Sequence, residues 1–430
     1  MEVWLFDPLR QVAPPKSLLN MNDSLKTMKS QHSKKPESPA RPQINFTNNH
    51  ANHRRDSLFG FFSVRRRILS TTASIFLVGL AAPAKADSVS WIGESGNWND
   101  VVNWSTGAVP GEQDDVIIDR PGVDVVVTHW TGPSEVKSLR SEEELVLVGG
   151  TLTVTTTMRV GGKLRLASVG TLKRATLTTT GGGQVTAESG GILDGVTLAT
   201  EVGGGGLTIA GGLTLSGGAK LASTAGFGLY IAGGTQTLGG NGEIVFEEGG
   251  RIFLGYGGEG TVTVGPQVTV LGPGQIFESS PASLINEGTF LVDGAARTLT
   301  LRPTVFTNRG TMRATGGAHL DIRPGHWTQD GTIIVGAASS ASLGGAWTNE
   351  GTIIPAPDAT VNLIGTLNGG LAAQSGTWRL GNSGRVKGGT VTAADGARII
   401  AEGGGAGGSY PSHEGGLLRS LPCQGPYFQR

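Results

Sequence analysis

Four short units between residues 284 and 354 constrain this chain more than anything else in it. They read Leu284-Ile285-Asn286-Glu287-Gly288-Thr289, Phe306-Thr307-Asn308-Arg309-Gly310-Thr311, Trp327-Thr328-Gln329-Asp330-Gly331-Thr332 and Trp347-Thr348-Asn349-Glu350-Gly351-Thr352. Their glycines step by 22, 21 and 20 residues. Each unit has a large apolar residue, an amide two places on, then Gly-Thr and a hydrophobic strand. A fixed period near twenty is the mark of stacked coils, each too small to bury its own apolar face. Coils in register lie about 4.8 Å apart. Asn286, Asn308, Gln329 and Asn349 are then expected above one another at a bend, bonding up and down as an amide ladder. The Leu, Phe and Trp positions two residues earlier stack inside.

The same character extends beyond the four units. From about Leu145 the chain is a succession of short strands alternating at period two. Leu152-Thr153-Val154-Thr155, Lys163-Leu164-Arg165-Leu166, Thr261-Val262-Thr263-Val264 and Thr298-Leu299-Thr300-Leu301 each put apolar residues on one face and Thr, Lys or Arg on the other. Gly pairs separate many of them, and Gly supplies the backbone freedom a sharp bend requires. An antiparallel sandwich also has many short strands, but it needs no polar residue recurring at one phase of twenty. The pattern predicts an all-β, right-handed parallel β-helix of about a dozen coils, a solenoid roughly 55–60 Å long at the coil spacing above.

Charge divides the chain differently. Residues 1–67 carry twelve Lys/Arg against five Asp/Glu, whereas residues after 86 carry 21 against 29. The formal neutrality of the whole is the sum of unlike parts. Arg65-Arg66-Arg67 is followed by a mostly apolar run from Ile68 to Leu80, and then by Ala84-Lys85-Ala86. A basic flank, an apolar core of this length and an A-x-A site make a secretory signal, with cleavage expected between Ala86 and Asp87. Arg65 to Leu69 also partly fits a twin-arginine signal. The signal begins some sixty residues in, so an over-long gene start is the favoured explanation of the polar, Pro-dotted segment before it. The expected divisions are therefore a disordered or mis-assigned leader, 1–62; a signal peptide, 63–86; an N-terminal cap module, 87–144; β-helix repeats, 145–402; and a Gly-rich irregular tail, 403–430. The single Cys423 excludes a disulfide framework and any thiolate zinc cluster. No apolar run is long enough to cross a bilayer as a helix.

With those residues in view, the chain resembles the right-handed β-helical passengers of autotransporters and filamentous-haemagglutinin-type adhesins. The shared feature is the N-x-G-T-hydrophobic unit over 284–354, with looser Gly/Thr/Val repeats back to 145 and on to 400. Trp91-Ile92-Gly93, Gly96-Asn97-Trp98, Asn103-Trp104, Pro110 and Asp114-Asp115-Val116-Ile117-Ile118 are similar to a module near the mature start of many secreted bacterial surface β-repeat proteins. Trp91, Trp98 and Trp104 suit a cap that covers the open apolar end of a coil stack; a sugar-stacking platform is the competing reading. The resemblance implies secretion or display at the bacterial cell surface or outer membrane. The terminal membrane barrel of autotransporters has no counterpart in the tail, so self-translocation does not carry over.

Catalytic and binding motifs are sparse. Gly255-Tyr256-Gly257-Gly258-Glu259-Gly260 has the G-x-G-x-x-G form of a dinucleotide site, but a Thr-Val-Thr-Val strand follows it where a helix is required. Arg385-Val386-Lys387 is similar to the R-x-K element of polygalacturonases, without their paired-Asp and G-H-G elements. Asp114-Asp115 lies in the cap module. His319, Asp321 and Arg323 are expected to share one outward, solvated strand face. The acidic balance after residue 86 offers no footprint for nucleic acid, and no metal or cofactor is expected. The expected function is that of a secreted or surface non-catalytic protein, adhesin-like or structural, whose partners are host or matrix surface components or polysaccharide. A carbohydrate-active β-helix enzyme and a truncated nonfunctional fragment of a larger surface protein stay open as alternatives. A carboxylate pair on neighbouring coils of one face would favour the enzyme.

Overall fold

The computed structural model describes residues 88–401, apart from 189, 225, 227, 382 and 395, together with the backbone of 428 and 429. The expected leader, the signal segment with Ala84, Ala86 and Asp87, and most of the tail including Cys423 lie outside the described residues. The described chain is an all-β solenoid of about 13 turns. Its regular elements are strands apart from one short 3-10 turn at Val101–Asn103.

Strands recur in three columns, and the chain visits them in order. The third column shows the stacking most simply. It starts at Pro133–Val136, continues through Thr151–Val154 and Thr171–Lys173, and reaches Thr377–Leu380 and Arg398–Ala401 by thirteen successive parallel pairings. Thirteen steps at roughly 4.8 Å give a rod of about 62 Å. The columns already include Asp115–Ile118 and Ser138–Ser141, inside the stretch 87–144.

Period-two alternation is what commits these segments to strands. Leu152, Leu172, Leu193, Ile209 and Ile231 stand one above another in the third column and are all fully enclosed. Removing a Leu or Ile side chain from water is worth about 1.5–3 kcal/mol, and here each is packed by its copies above and below. The intervening Thr, Lys, Arg and Asp residues face out, and opposite charges meet across levels. Lys173 Nζ lies 2.8 Å from Asp194, and Arg165 Nε lies 3.0 Å from Glu144.

In the middle of the rod three long strands, Thr208–Ser223, Leu229–Phe246 and Gly250–Val264, each serve more than one column. Thr208–Ser223 gives Ile209 to the third column, Leu213 to Leu215 to the first, and Lys220 and Leu221 to the second. It turns both corners on glycine pairs with positive φ, Gly211-Gly212 and Gly217-Gly218. In the 284–354 units glycine has a different reason. A Cβ on Gly331 would lie 2.1 Å from the carbonyl oxygen of Gly310, and one on Gly310 would lie 2.1 Å from that of Gly288. Close approach of stacked backbones excludes any side chain there.

One column is interrupted. Thr352–Pro355, in the second column, pairs with Thr332–Val335 on one side, whereas Leu371–Ala373 pairs with Val391–Ala393 in a separate two-stranded sheet. At the far end of the first column the backbone of Phe428–Gln429 pairs in parallel with Val386 and Lys387.

Candidate functional site

The three sequence-marked tryptophans come together at the first coil. Trp91, Trp98 and Trp104 are each at most 1% exposed. Trp104 stands edge-on to Trp91, with ring centroids 4.9 Å apart, and to Trp98 at 4.8 Å. The first coil has strands in the first and second columns, Ser88–Ser90 and Gly96–Asn97. The chain then makes the 3-10 turn and returns so that Trp104 bridges Trp91 antiparallel. Trp104 Nε1 donates to the Trp98 carbonyl at 2.7 Å and Trp91 Nε1 to that of Glu94 at 3.1 Å. With the cluster enclosed, none of these three indoles is presented as a platform for a sugar.

Beneath them lies a residue that sequence reading passed over. His129 is fully buried, 6.0 Å from the Trp98 ring. Its Nδ1 faces the Gly149 carbonyl at 3.0 Å and its Nε2 the Ser134 hydroxyl at 3.1 Å. A carbonyl can only accept, so Nδ1 carries the proton and Nε2 accepts from Ser134. Burial penalises the cation and lowers the His129 pKa below the usual histidine value.

The amide ladder forms over three of its four positions. Asn286 Nδ2 donates to Asn308 Oδ1 at 2.7 Å, and Asn308 Nδ2 donates to Gln329 Oε1 at 2.8 Å. All three amides are fully enclosed, and Asn286 Oδ1 has no partner. Their own carbonyls also close the turn. Asn308 O, for example, accepts from the N–H groups of Asp330 and Gly331 at 2.8 and 2.7 Å. Asn349 is exposed instead. It sits at the level where the second column is interrupted, and the chain above reads Asn368-Gly369-Gly370 in place of another N-x-G-T unit. The large residues two places earlier do stack inside: Trp327 lies on Trp347 at 4.7 Å and 12°, and Phe306 beside Trp327 at 6.1 Å.

On the outer face of the third column, His319 and Arg323 flank Asp321. Arg323 Nε lies 2.6 Å from Asp321 Oδ1, and Arg302, one level away, has Nη2 3.9 Å from Asp321 Oδ2. His319 Nδ1 meets the Ser340 hydroxyl at 2.8 Å, and burial lowers its pKa. Asp321 is itself only 6% exposed, covered by the arginines that pair with it. Asp114 and Asp115 are likewise engaged. Asp114 Oδ2 accepts from the Gly111 N–H at 2.8 Å, while a Ser138 hydrogen bond and the Lys137 ammonium hold the Asp115 carboxyl below the usual range. The Gly255–Gly260 stretch lies inside the strand Gly250–Val264, so no helix N-terminus faces it.

Carboxylates on neighbouring coils do occur at Asp119 and Glu142. Arg140 lies between them, at 3.1 Å from Asp119 Oδ2 and 2.9 Å from Glu142 Oε1. A glycosidase keeps that space for the glycosidic oxygen and its water, and here a guanidinium fills it. Among the described residues no three His, Cys, Asp or Glu side chains converge as metal ligands, and no helix is long and apolar enough to cross a membrane.

An outward aromatic row was also missed. Tyr230, Phe253 and Phe277 occupy successive levels, with Tyr230 and Phe253 stacked at 5.1 Å and 13° and Phe253 and Phe277 6.1 Å apart. The signal was available in Leu229-Tyr230-Ile231, Ile252-Phe253-Leu254 and Ile276-Phe277-Glu278, each with an aromatic residue at the outward phase. Compared with known proteins, the chain matches no family model, no curated protein and no solved structure.

Proposed function

We propose that this chain is a secreted or cell-surface β-solenoid with an adhesive or structural role and no catalysis, one that touches its partners along its outer faces. The observation that carries this reading is the filled interior. Apolar rows, an amide ladder and an indole stack occupy the space inside the coils, so recognition falls to long, regular outer rows of Thr, Ser and Arg. Contacts repeated at every level favour multivalent binding to an extended partner over capture of one small molecule in a pocket. Secretion is supported by the basic flank, apolar core and Ala84-Lys85-Ala86 site ahead of the solenoid.

The test is fractionation of the producing cell with mass spectrometry of the terminal peptides. Recovery from the surface or the medium with Asp87 at the N-terminus is the expected result. Recovery from the cytoplasm with residues 1–60 still attached would overturn it.

A further inference from the structure

The first column carries no charge over a long run of consecutive coils. Through seven successive levels, from Thr235 to Thr366, its outward strand positions include no Asp, Glu, Lys or Arg. One lateral row reads Thr237, Thr263, Ile285, Thr307, Thr328 and Thr348, each paired directly with the next. A second row lies two residues earlier, from Thr235 and Thr261 through Val305, His326 and Ala346 to Thr366. Every level offers at least one hydroxyl, and none of these hydroxyls bonds to another described residue. Threonines elsewhere are engaged, as Thr304 is with Glu278 and Thr315 with Asp293. Over the same levels the second column presents Glu243, Asp293 and Arg313, and the third Arg251, Arg302 and Arg323. Beside the first column charge returns at the bends, in Glu259 before the strands and in Glu287, Arg309, Asp330 and Glu350 after them. Arg385 and Lys387 end the face at the next level. Tyr256, on the corner leading to Thr261, is 50% exposed and tilted 56° against Tyr230. Its phenol also bonds to no described residue.

We infer that this face binds an uncharged polysaccharide laid along the rod axis, with threonine hydroxyls bonded to sugar hydroxyls and one sugar ring resting on Tyr256. The inference rests on the adhesive reading above and names its ligand class. A neutral chain lying on a charged face strips water from the charges and returns nothing for it; this face has no such charge to strip. A hydroxyl both donates and accepts, so each threonine matches a sugar hydroxyl in either sense. The threonine methyls, with Ile285, Val305 and Ala346, give apolar contact between those bonds. Tyrosine adds an apolar ring with a polar tip. An acidic polysaccharide or a nucleic acid would find no cation on the face to neutralise it. A second copy of this chain is a poorer occupant. Six steps of about 4.8 Å and a strand about 13 Å wide enclose roughly 400 Å². That is half of the ~800 Å² each partner buries in a stable pair.

The experiment is native affinity electrophoresis of the purified full chain in gels containing hydroxyethylcellulose, galactomannan, dextran or polygalacturonate, at low and high salt. T263K/T328K puts two ammonium groups in the middle of the face. T307V/T348V removes two hydroxyls at nearly constant shape, so it answers if the lysine variant misfolds. T289K/T332K, with the same added charge on the second column, is the control. The expected result is retardation by at least one neutral glycan, equal at both salts because no counterions are released. T263K/T328K abolishes the retardation, T307V/T348V and Y256A weaken it several-fold, and the control behaves as the parent. Four outcomes overturn the inference. No neutral gel retards the parent; both face variants are retarded as the parent is; polygalacturonate alone retards it, in a salt-dependent way, which would assign binding to basic residues elsewhere; or sedimentation shows a dimer that T263K/T328K dissolves, which would make the face a self-contact. A chain recovered from the cell surface that no neutral gel retards keeps the surface reading and loses this one, and a cytoplasmic chain that galactomannan retards does the reverse.

Discussion

Replacing Asn308 by Leu tests whether the buried amides act as a connected ladder. In the parent, Asn308 accepts from Asn286 at 2.7 Å and donates to Gln329 at 2.8 Å, in an environment closed to water. Leucine has nearly the same shape and removes both bonds. Each is worth about 1 kcal/mol net, and a buried polar atom left without a partner costs a further 1–3 kcal/mol. Gln329 Oε1 is left that way. Asn286 Nδ2 keeps only a long contact, 3.4 Å, to the Thr311 carbonyl. After allowing for the apolar surface gained, N308L should destabilise by about 2–4 kcal/mol. The decisive comparison is N286L/N308L/Q329M, in which every member becomes apolar. That variant should lose far less than three times the single cost, because no orphan remains and the unpartnered Asn286 Oδ1 of the parent also disappears. Urea midpoints read by tryptophan fluorescence supply the numbers, with hydrogen exchange at 280–335 locating the change. A single-variant loss below about 1 kcal/mol, or a triple-variant loss equal to the sum of three, would refute the reasoning.

Further outcomes follow from the same geometry. G331A places a methyl 2.1 Å from a backbone oxygen, whereas G217A meets open space and only the strain of φ +66°. G331A should therefore cost well over the roughly 1–2 kcal/mol expected of G217A, as read from thermal midpoints. Trp98→Ala removes a fully buried indole and should cost about 3–5 kcal/mol. Exchange should rise over 88–130 while coils beyond 200 keep their protection, since each level leans only on its neighbours. His129 has a folded pKa below its unfolded value, so the unfolded chain takes up the proton first as pH falls. Stability should be full above about pH 6.5 and decline from there toward pH 5. His319, shifted the same way, adds to that slope. H129Q should flatten the dependence; a parent midpoint constant between pH 7 and 5 would contradict the buried neutral ring.

The fold was legible because a solenoid writes one geometric rule many times. Period-two alternation fixes strands, the twenty-residue step fixes stacking, and the Gly of each N-x-G-T unit sits where two backbones nearly touch. Asn286, Asn308 and Gln329 could be aligned by counting alone. Asn349 has the same local sequence, but its exposure depends on the coil above, where the second column breaks. The long strands from Thr208 to Val264 hid their corners because Gly there serves bends at irregular intervals of 22 to 26 residues between levels. Tyr230, Phe253 and Phe277, and Arg302 and Arg323 that continue their row, are scattered in sequence and become neighbours only once column register is known. His129 shares the inward phase of Val125 and Val127, but nothing in the sequence shows the Gly149 carbonyl and Ser134 hydroxyl that let an imidazole take a core position.

The interrupted second column gives the rod a direction of weakness. Between Thr352–Pro355 and Leu371–Ala373, two sheets cross from one level to the next, where three cross at each level of the 284–354 units. If the molecule works as a tether, tension along its axis is shared by fewer hydrogen bonds at that joint than at any level of the 284–354 units. From residue 284 onward the rod should part there first, releasing the last coils as one piece and leaving the amide ladder and indole stack beneath them folded.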